Sequence, residues 1–146
     1  ALRLDKVTLA ALEATLQLYR NPDELVSTLP TLRLLTRAED SIRDQANKLA
    51  PKVSSVLGDH YRVDTASVSS QIGSGALPIE VLPSAALSIT VANGEDEPLR
   101  ALAARFRQLP QPVIGRLHNG ALLLDLRCLE AIHEDAFIEQ LSELTL

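Results

Sequence analysis

Up to Gly58 the apolar residues recur at helical spacing, and from Tyr61 they recur every second residue, so a helical first part is followed by a sheet-forming second part. Leu9, Leu12, Leu16 and Tyr19 fall at i, i+3, i+7 and i+10, while Val7, Ala11, Ala14 and Leu18 line a second face. A helix apolar on two sides is either buried or bridges two bodies. Asp5 is its expected N-cap and Asn21-Pro22 its end, with Asn21 capping a short second helix that has Pro22 at its first position. Pro30 is expected to close that turn and Thr31–Leu35 to be extended. Thr36-Arg37-Ala38-Glu39 then has the form of a capping box opening a third helix. Its stripe is Ala38, Ile42, Ala46 (or Gln45), Leu49, Val53 and Val56, with a kink at Pro51 and a C-terminal cap at Gly58.

Tyr61, Val63 and Thr65 alternate with Arg62, Asp64 and Ala66, the pattern of a strand with one wet face. Ala85–Val91 reads as a second strand. Leu99, Leu102, Phe106 and Leu109 form a helical stripe between Pro98 and Pro110. Val113–Leu117 and Ala121–Leu126 flank His118-Asn119-Gly120, and Asn-Gly between alternating apolar runs is a hairpin signal. A last helix carries Phe137, Leu141 and Leu144. The expected fold is α+β: a two-layer small domain with helices packed on a mostly antiparallel four-stranded sheet. Residues 1–35 form a helical lead-in and 36–146 the α+β domain.

At 146 residues, 46% of them hydrophobic, the chain can bury a real core. Its apolar runs fall short of the roughly 20 residues a membrane helix needs, and no signal peptide opens it, so a cytoplasmic location is expected. The chain has no methionine and opens on Ala-Leu-Arg-Leu-Asp-Lys, which suggests a fragment of a longer polypeptide. A net charge of −5 argues against a domain that grips nucleic acid by itself, because phosphate binding rests on clustered Lys and Arg. The lone Cys128 excludes an internal disulfide and is expected to be a packed small residue. His60, His118 and His133 stand far apart without partners at metal spacing and read as surface residues.

Two features could carry binding. Ser69–Pro83 is a Gly/Ser/Pro loop in which Gly73 and Gly75 can take φ > 0 and let backbone amides converge on an anion, while Pro78 and Pro83 oppose a continuous ladder. It is not a dinucleotide fingerprint, since Gly73-Ser74-Gly75 is not followed by a helix; a structural turn and a ligand-facing loop both fit it. Arginines make up eleven of the fourteen basic residues, and Arg3, Arg33 and Arg116 sit in apolar neighbourhoods. A guanidinium fork suits carboxylate or phosphate, but a solvated face or an ion pair explains an arginine equally well. No Gly-x-Ser-x-Gly elbow supports a hydrolase triad.

Five blocks in order, Ala1–Leu16, Pro30–Thr36, Ser70–Pro78, Leu82–Leu87 and Pro112–Arg127, resemble the C-terminal domain of the bacterial selenocysteine synthases, the L-seryl-tRNA(Sec) selenium transferases. The resemblance implies the small α+β domain of a fold-type-I pyridoxal-phosphate enzyme. The implied reaction converts seryl-tRNA(Sec) to selenocysteinyl-tRNA(Sec) by loss of water and addition of selenium from selenophosphate. It also implies that the Schiff-base lysine and most of the pyridoxal 5'-phosphate site lie upstream, in a large domain to which residues 1–35 lead. The fragment alone is then inactive and without its own grip on tRNA, and the whole enzyme is expected to be a homo-oligomer. Arg3, by resemblance, helps hold the anionic selenium donor. Gln71, Gly73, Ser74, Gly75 and Arg116 are the further candidates for substrate binding, and no catalytic, cofactor or metal residue is expected here. A related pyridoxal-phosphate lyase, or a free-standing anion-binding regulatory module, is the alternative.

Overall fold

The computed structural model describes residues 3–71, 81–92 and 94–144. The chain divides into two units, Ala1–Arg37 and Ala38–Leu146.

In the first unit, helices α1 (Lys6–Leu18), α2 (Pro22–Thr28) and α3 (Pro30–Leu35) follow in succession. Asp5 caps α1 as expected, its Oδ1 accepting from the amides of Val7 and Thr8 at 2.9 Å each. The two-sided apolar pattern of α1 is displayed rather than buried: Val7 is 79% exposed and Leu16 57%. Thr31–Leu35, expected to be extended, is helical. Pro30 opens a helix here instead of ending one, because at the first helical position its missing amide costs nothing. The capping box is also absent: Thr36 Oγ1 donates to the Leu32 carbonyl at the end of α3 (2.7 Å), and the next helix has Ala38 as N-cap without a side-chain bond.

The second unit begins with α4 (Glu39–Leu57), which runs through Pro51 and stops at Gly58, where φ is 71°. Four strands follow: β1 (Tyr61–Gln71), β2 (Val81–Val91), β3 (Arg116–His118) and β4 (Ala121–Asp125). Helix α5 (Asp96–Gln108) connects β2 to β3, and α6 (Glu134–Gln140) comes last. The sheet is antiparallel throughout with strand order β1-β2-β4-β3, so β4 enters between β2 and β3. The expected hairpin is present. His118 pairs with Ala121, and Asn119 and Gly120 take φ of 50° and 70°, the two positive values of a type I′ turn.

Period two sorts the strand side chains onto two faces. Leu87, Ile89, Leu122 and Leu124 point into a core closed by Ile42, Leu49 and Val53 of α4 and Leu102 and Phe106 of α5. Ala86, Ala121 and Leu123 form a second, smaller cluster with Val68 on the opposite face. Gly115 enters β3 pressed onto the core: a Cβ there would lie 2.6 Å from Leu124 Cδ2, 2.7 Å from Leu122 Cδ1 and 3.0 Å from the Leu123 carbonyl.

One buried carboxylate joins α4 to α6. Gln45 Nε2 donates to Glu134 Oε1 (2.9 Å) and to the Leu129 carbonyl (3.1 Å), and Lys48 Nζ donates to Glu134 Oε2 (2.6 Å). The Lys48 hydrogen bond holds the Glu134 carboxyl below the ordinary glutamate range against burial, which pushes it up, and Gln45 adds to the lowering. The same bond raises Lys48 above the usual lysine value.

Two outcomes are expected. Gly115→Ala should destabilise the second unit by about 1–3 kcal/mol, the usual range for overpacking, in denaturant unfolding; an unchanged midpoint would show that the two leucines yield freely. Glu134 is ionised at lower pH folded than unfolded, so its contribution is full above the unfolded pKa and fades as pH falls through the folded one. Glu134→Gln should therefore lower Tm at neutral pH, with the gap to the parent narrowing on acidification, and a gap that stays constant with pH would contradict the linkage.

Candidate functional site

The helix-free face of the sheet carries the candidate site. Ladder pairing stops at Ala86 on the β2–β4 side, whereas β1 and β2 stay paired as far as Gln71 and Val81. Ser67–Gln71 and Val81–Ala85 thus continue past β4 as a two-stranded arm. This corrects the extent of the loop expected over Ser69–Pro83: Ser69, Ser70 and Gln71 pair with Pro83, Leu82 and Val81. Pro83 is tolerated because its amide position and carbonyl face the side of β2 that β4 has already left, so no ladder bond is missed. Gly73, Ser74 and Gly75 lie outside the described residues.

Beneath the arm, the open face forms a concavity of about 750 Å³. Ala66, Val68, Ala121 and Leu123 give its lining an apolar part, and Gln71, Ser67, Arg116, His118, Asn119 and the Glu39 carboxylate of α4 give it a polar part. The structure therefore brings Gln71 and Arg116, distant in sequence, to one surface. Arg116 reaches it because it pairs with Leu123, whose side chain belongs to this face. Arg3 is exposed and belongs to the first unit. Arg33 lies in that unit as well, and its Nη1 donates to the Ser27 carbonyl at the end of α2 (3.0 Å), a structural use of the guanidinium. His60, His118 and His133 are all exposed. Cys128, expected to be packed, is exposed, since the turn after β4 directs Leu126 and Arg127 inward and leaves Cys128 outside. Among the described residues, no group of three or more His, Cys, Asp and Glu is placed to hold a metal ion.

The neck of the arm is tied by a polar network that the sequence reading did not pick out. Asp125 Oδ1 accepts from Ser84 Oγ (2.7 Å) and from the Arg127 amide (3.0 Å), and its Oδ2 accepts from Ser70 Oγ (2.5 Å). Arg127, only 5% exposed, donates from Nε to Ser70 Oγ (3.3 Å) and from Nη2 to the Pro83 carbonyl (2.5 Å). The available signal was Asp125-Leu126-Arg127, a charged pair at i, i+2 around a core leucine at the end of a strand. On the rim, Arg43 of α4 donates to Ser67 Oγ (2.9 Å) and pairs with Glu39.

Residues 1–130 match the family described as L-seryl-tRNA selenium transferase. The chain belongs to the L-seryl-tRNA selenium transferase family. It is 53% identical over 142 residues to the L-seryl-tRNA(Sec) selenium transferase of Proteus mirabilis, covering 97% of this chain and 30% of that protein. The enzyme of the same name from Salmonella typhimurium is 54% identical over 141 residues, with the same two coverages. The chain thus spans about 30% of the length of the curated selenium transferases it matches.

Asp125→Ala should cost about 2–4 kcal/mol, because it strips three donors of their acceptor, one of them the fully buried Ser84 hydroxyl. Chemical denaturation measures it, and a loss under about 0.5 kcal/mol, the size of an ordinary surface substitution, would mean water replaces the carboxylate without penalty.

Proposed function

We propose that this chain is the C-terminal part of a cytoplasmic pyridoxal-phosphate enzyme that converts seryl-tRNA(Sec) to selenocysteinyl-tRNA(Sec) with selenophosphate as selenium donor. The family match over residues 1–130 carries this reading. Pyridoxal phosphate acts as an electron sink once an amine has condensed with its aldehyde. The lysines of this chain do not fit that part: Lys48 is engaged by Glu134, and Lys6 and Lys52 stand exposed on helix surfaces. No covalent step is therefore given to these residues, and the cofactor site belongs to the remainder of the enzyme.

The second unit supplies a shaped, partly apolar surface that shields a substrate from water, with a guanidinium and an amide on its rim. Arg116 offers a planar fork of donors suited to a phosphate oxygen pair, and Gln71 offers a further donor across the concavity. Arg3, in the first unit, is by family likeness a separate candidate for holding the donor. Helix α1 links these residues to the large domain: its exposed Val7, Leu12, Leu16 and Tyr19 are suited to cover by the rest of the parent polypeptide.

In the full-length enzyme, Arg3→Gln and Arg116→Gln should each lower kcat/KM for selenophosphate by roughly tenfold or more, the worth of one charged hydrogen bond, with pyridoxal absorbance unchanged. Serine-to-selenocysteine conversion on charged tRNA(Sec) measures the effect. Turnover by both variants at the parent rate would refute the donor site.

A further inference from the structure

We infer that Arg127, acting with Asp125, is a positioning residue for the concave face: it locks the β1–β2 arm at its neck and so fixes the side of the concavity that Gln71, Val81 and Pro83 line. This deepens the donor-site reading and rests on it. The geometry is specific. One guanidinium, nine-tenths buried, reaches both strands of the arm, donating to Ser70 Oγ on β1 and to the Pro83 carbonyl on β2. Asp125 repeats the bridge from below, accepting from Ser70 on one strand and Ser84 on the other. These contacts take over where β4 pairing runs out, at the Ala86–Asp125 pair and the Leu126 amide bond to the Ala85 carbonyl (3.1 Å).

The consequence is positional. Ser70 is the immediate neighbour of Gln71, and Pro83, like Gln71 and Val81, lines the concavity. A two-stranded ribbon on its own is marginally stable and twists freely. With Ser70 and Pro83 held by one rigid planar group, the arm inherits the position of β4, whose other side carries β3 and Arg116. A fork serves where an ammonium does not, because the Nε and Nη2 donors point in fixed, divergent directions.

The test uses the full-length enzyme. Hydrogen exchange is followed in peptides covering 67–71 and 81–84 and in α4 and α5, alongside KM for selenophosphate, in Arg127→Gln, Arg127→Lys and Arg116→Gln. Val53→Ala, a core substitution away from the arm, serves as a control for plain destabilisation. Arg127→Gln should speed exchange in the arm about tenfold or more, as expected for loss of charged hydrogen bonds, leave α4 and α5 at parent rates, and raise KM for selenophosphate. Arg127→Lys, which keeps the charge without the fork, should also loosen the arm. Unchanged arm exchange in Arg127→Gln, equal acceleration in α4 and α5, parent-like behaviour of Arg127→Lys, or the same KM increase in Val53→Ala would each overturn the positioning role. A loosened arm with parent KM overturns it too, and if Arg116→Gln also keeps parent KM, the donor-site reading beneath it falls as well.

Discussion

Burial of Leu87, Ile89, Leu122 and Leu124 against α4 and α5 decides which face of the sheet remains open, and the candidate site follows from that choice. Because side chains alternate along a strand, committing one set to the core sends Ala86, Ser88, Leu123, Arg116 and His118 to the other side. A slip of one residue in β4 would exchange the sets and carry Arg116 away from its place beside Leu123. Gly115 and the Asn119-Gly120 turn guard against it: the first allows the chain to lie flat on Leu122 and Leu124, and the second fixes the β3–β4 register. The polar network around Asp125 then continues the same register into the arm.

Much of this architecture was legible because it rests on local signals. The change of period at Tyr61, the stripe of Ile42, Leu49 and Val53, the cap at Gly58 and the Asn-Gly hairpin each depend on residues close in sequence. Features set by long-range partners were not. Pro30 begins a helix because Pro22 and Pro30 each occupy a first helical position, a choice that proline alone leaves open between starting and stopping. The strand character of Ser69–Gln71 and Val81–Pro83 comes from pairing across a hairpin with few β-branched residues, so neither half advertises it. Arg127 looked like any charge at a strand end; its burial depends on Ser70 and Pro83, residues more than forty positions away. Arg116 and Gln71 are far apart in the chain, and the strand order 1-2-4-3 explains how both come to line one concavity.

Family membership and geometry bear on different questions. The match to selenium transferases names a chemistry for proteins more than three times the length of this chain, and the lysines of the second unit, Lys48 and Lys52, both lie on α4. That unit also holds a rimmed, half-apolar surface, cationic at Arg116 and braced by a buried guanidinium. Such a surface is suited to holding an anionic co-substrate in place while bonds change elsewhere, a division of labour in which binding energy from one domain serves reaction in another.

The central claim is that the open sheet face meets the selenium donor. Hydrogen exchange of the full-length enzyme with and without selenophosphate, under anaerobic conditions, addresses it directly. Slowed exchange in Arg116–Leu123 and at Gln71, with the outer surfaces of α5 and α6 unaffected, is the predicted result. No protection on that face, in an enzyme that still turns over the donor, would contradict it.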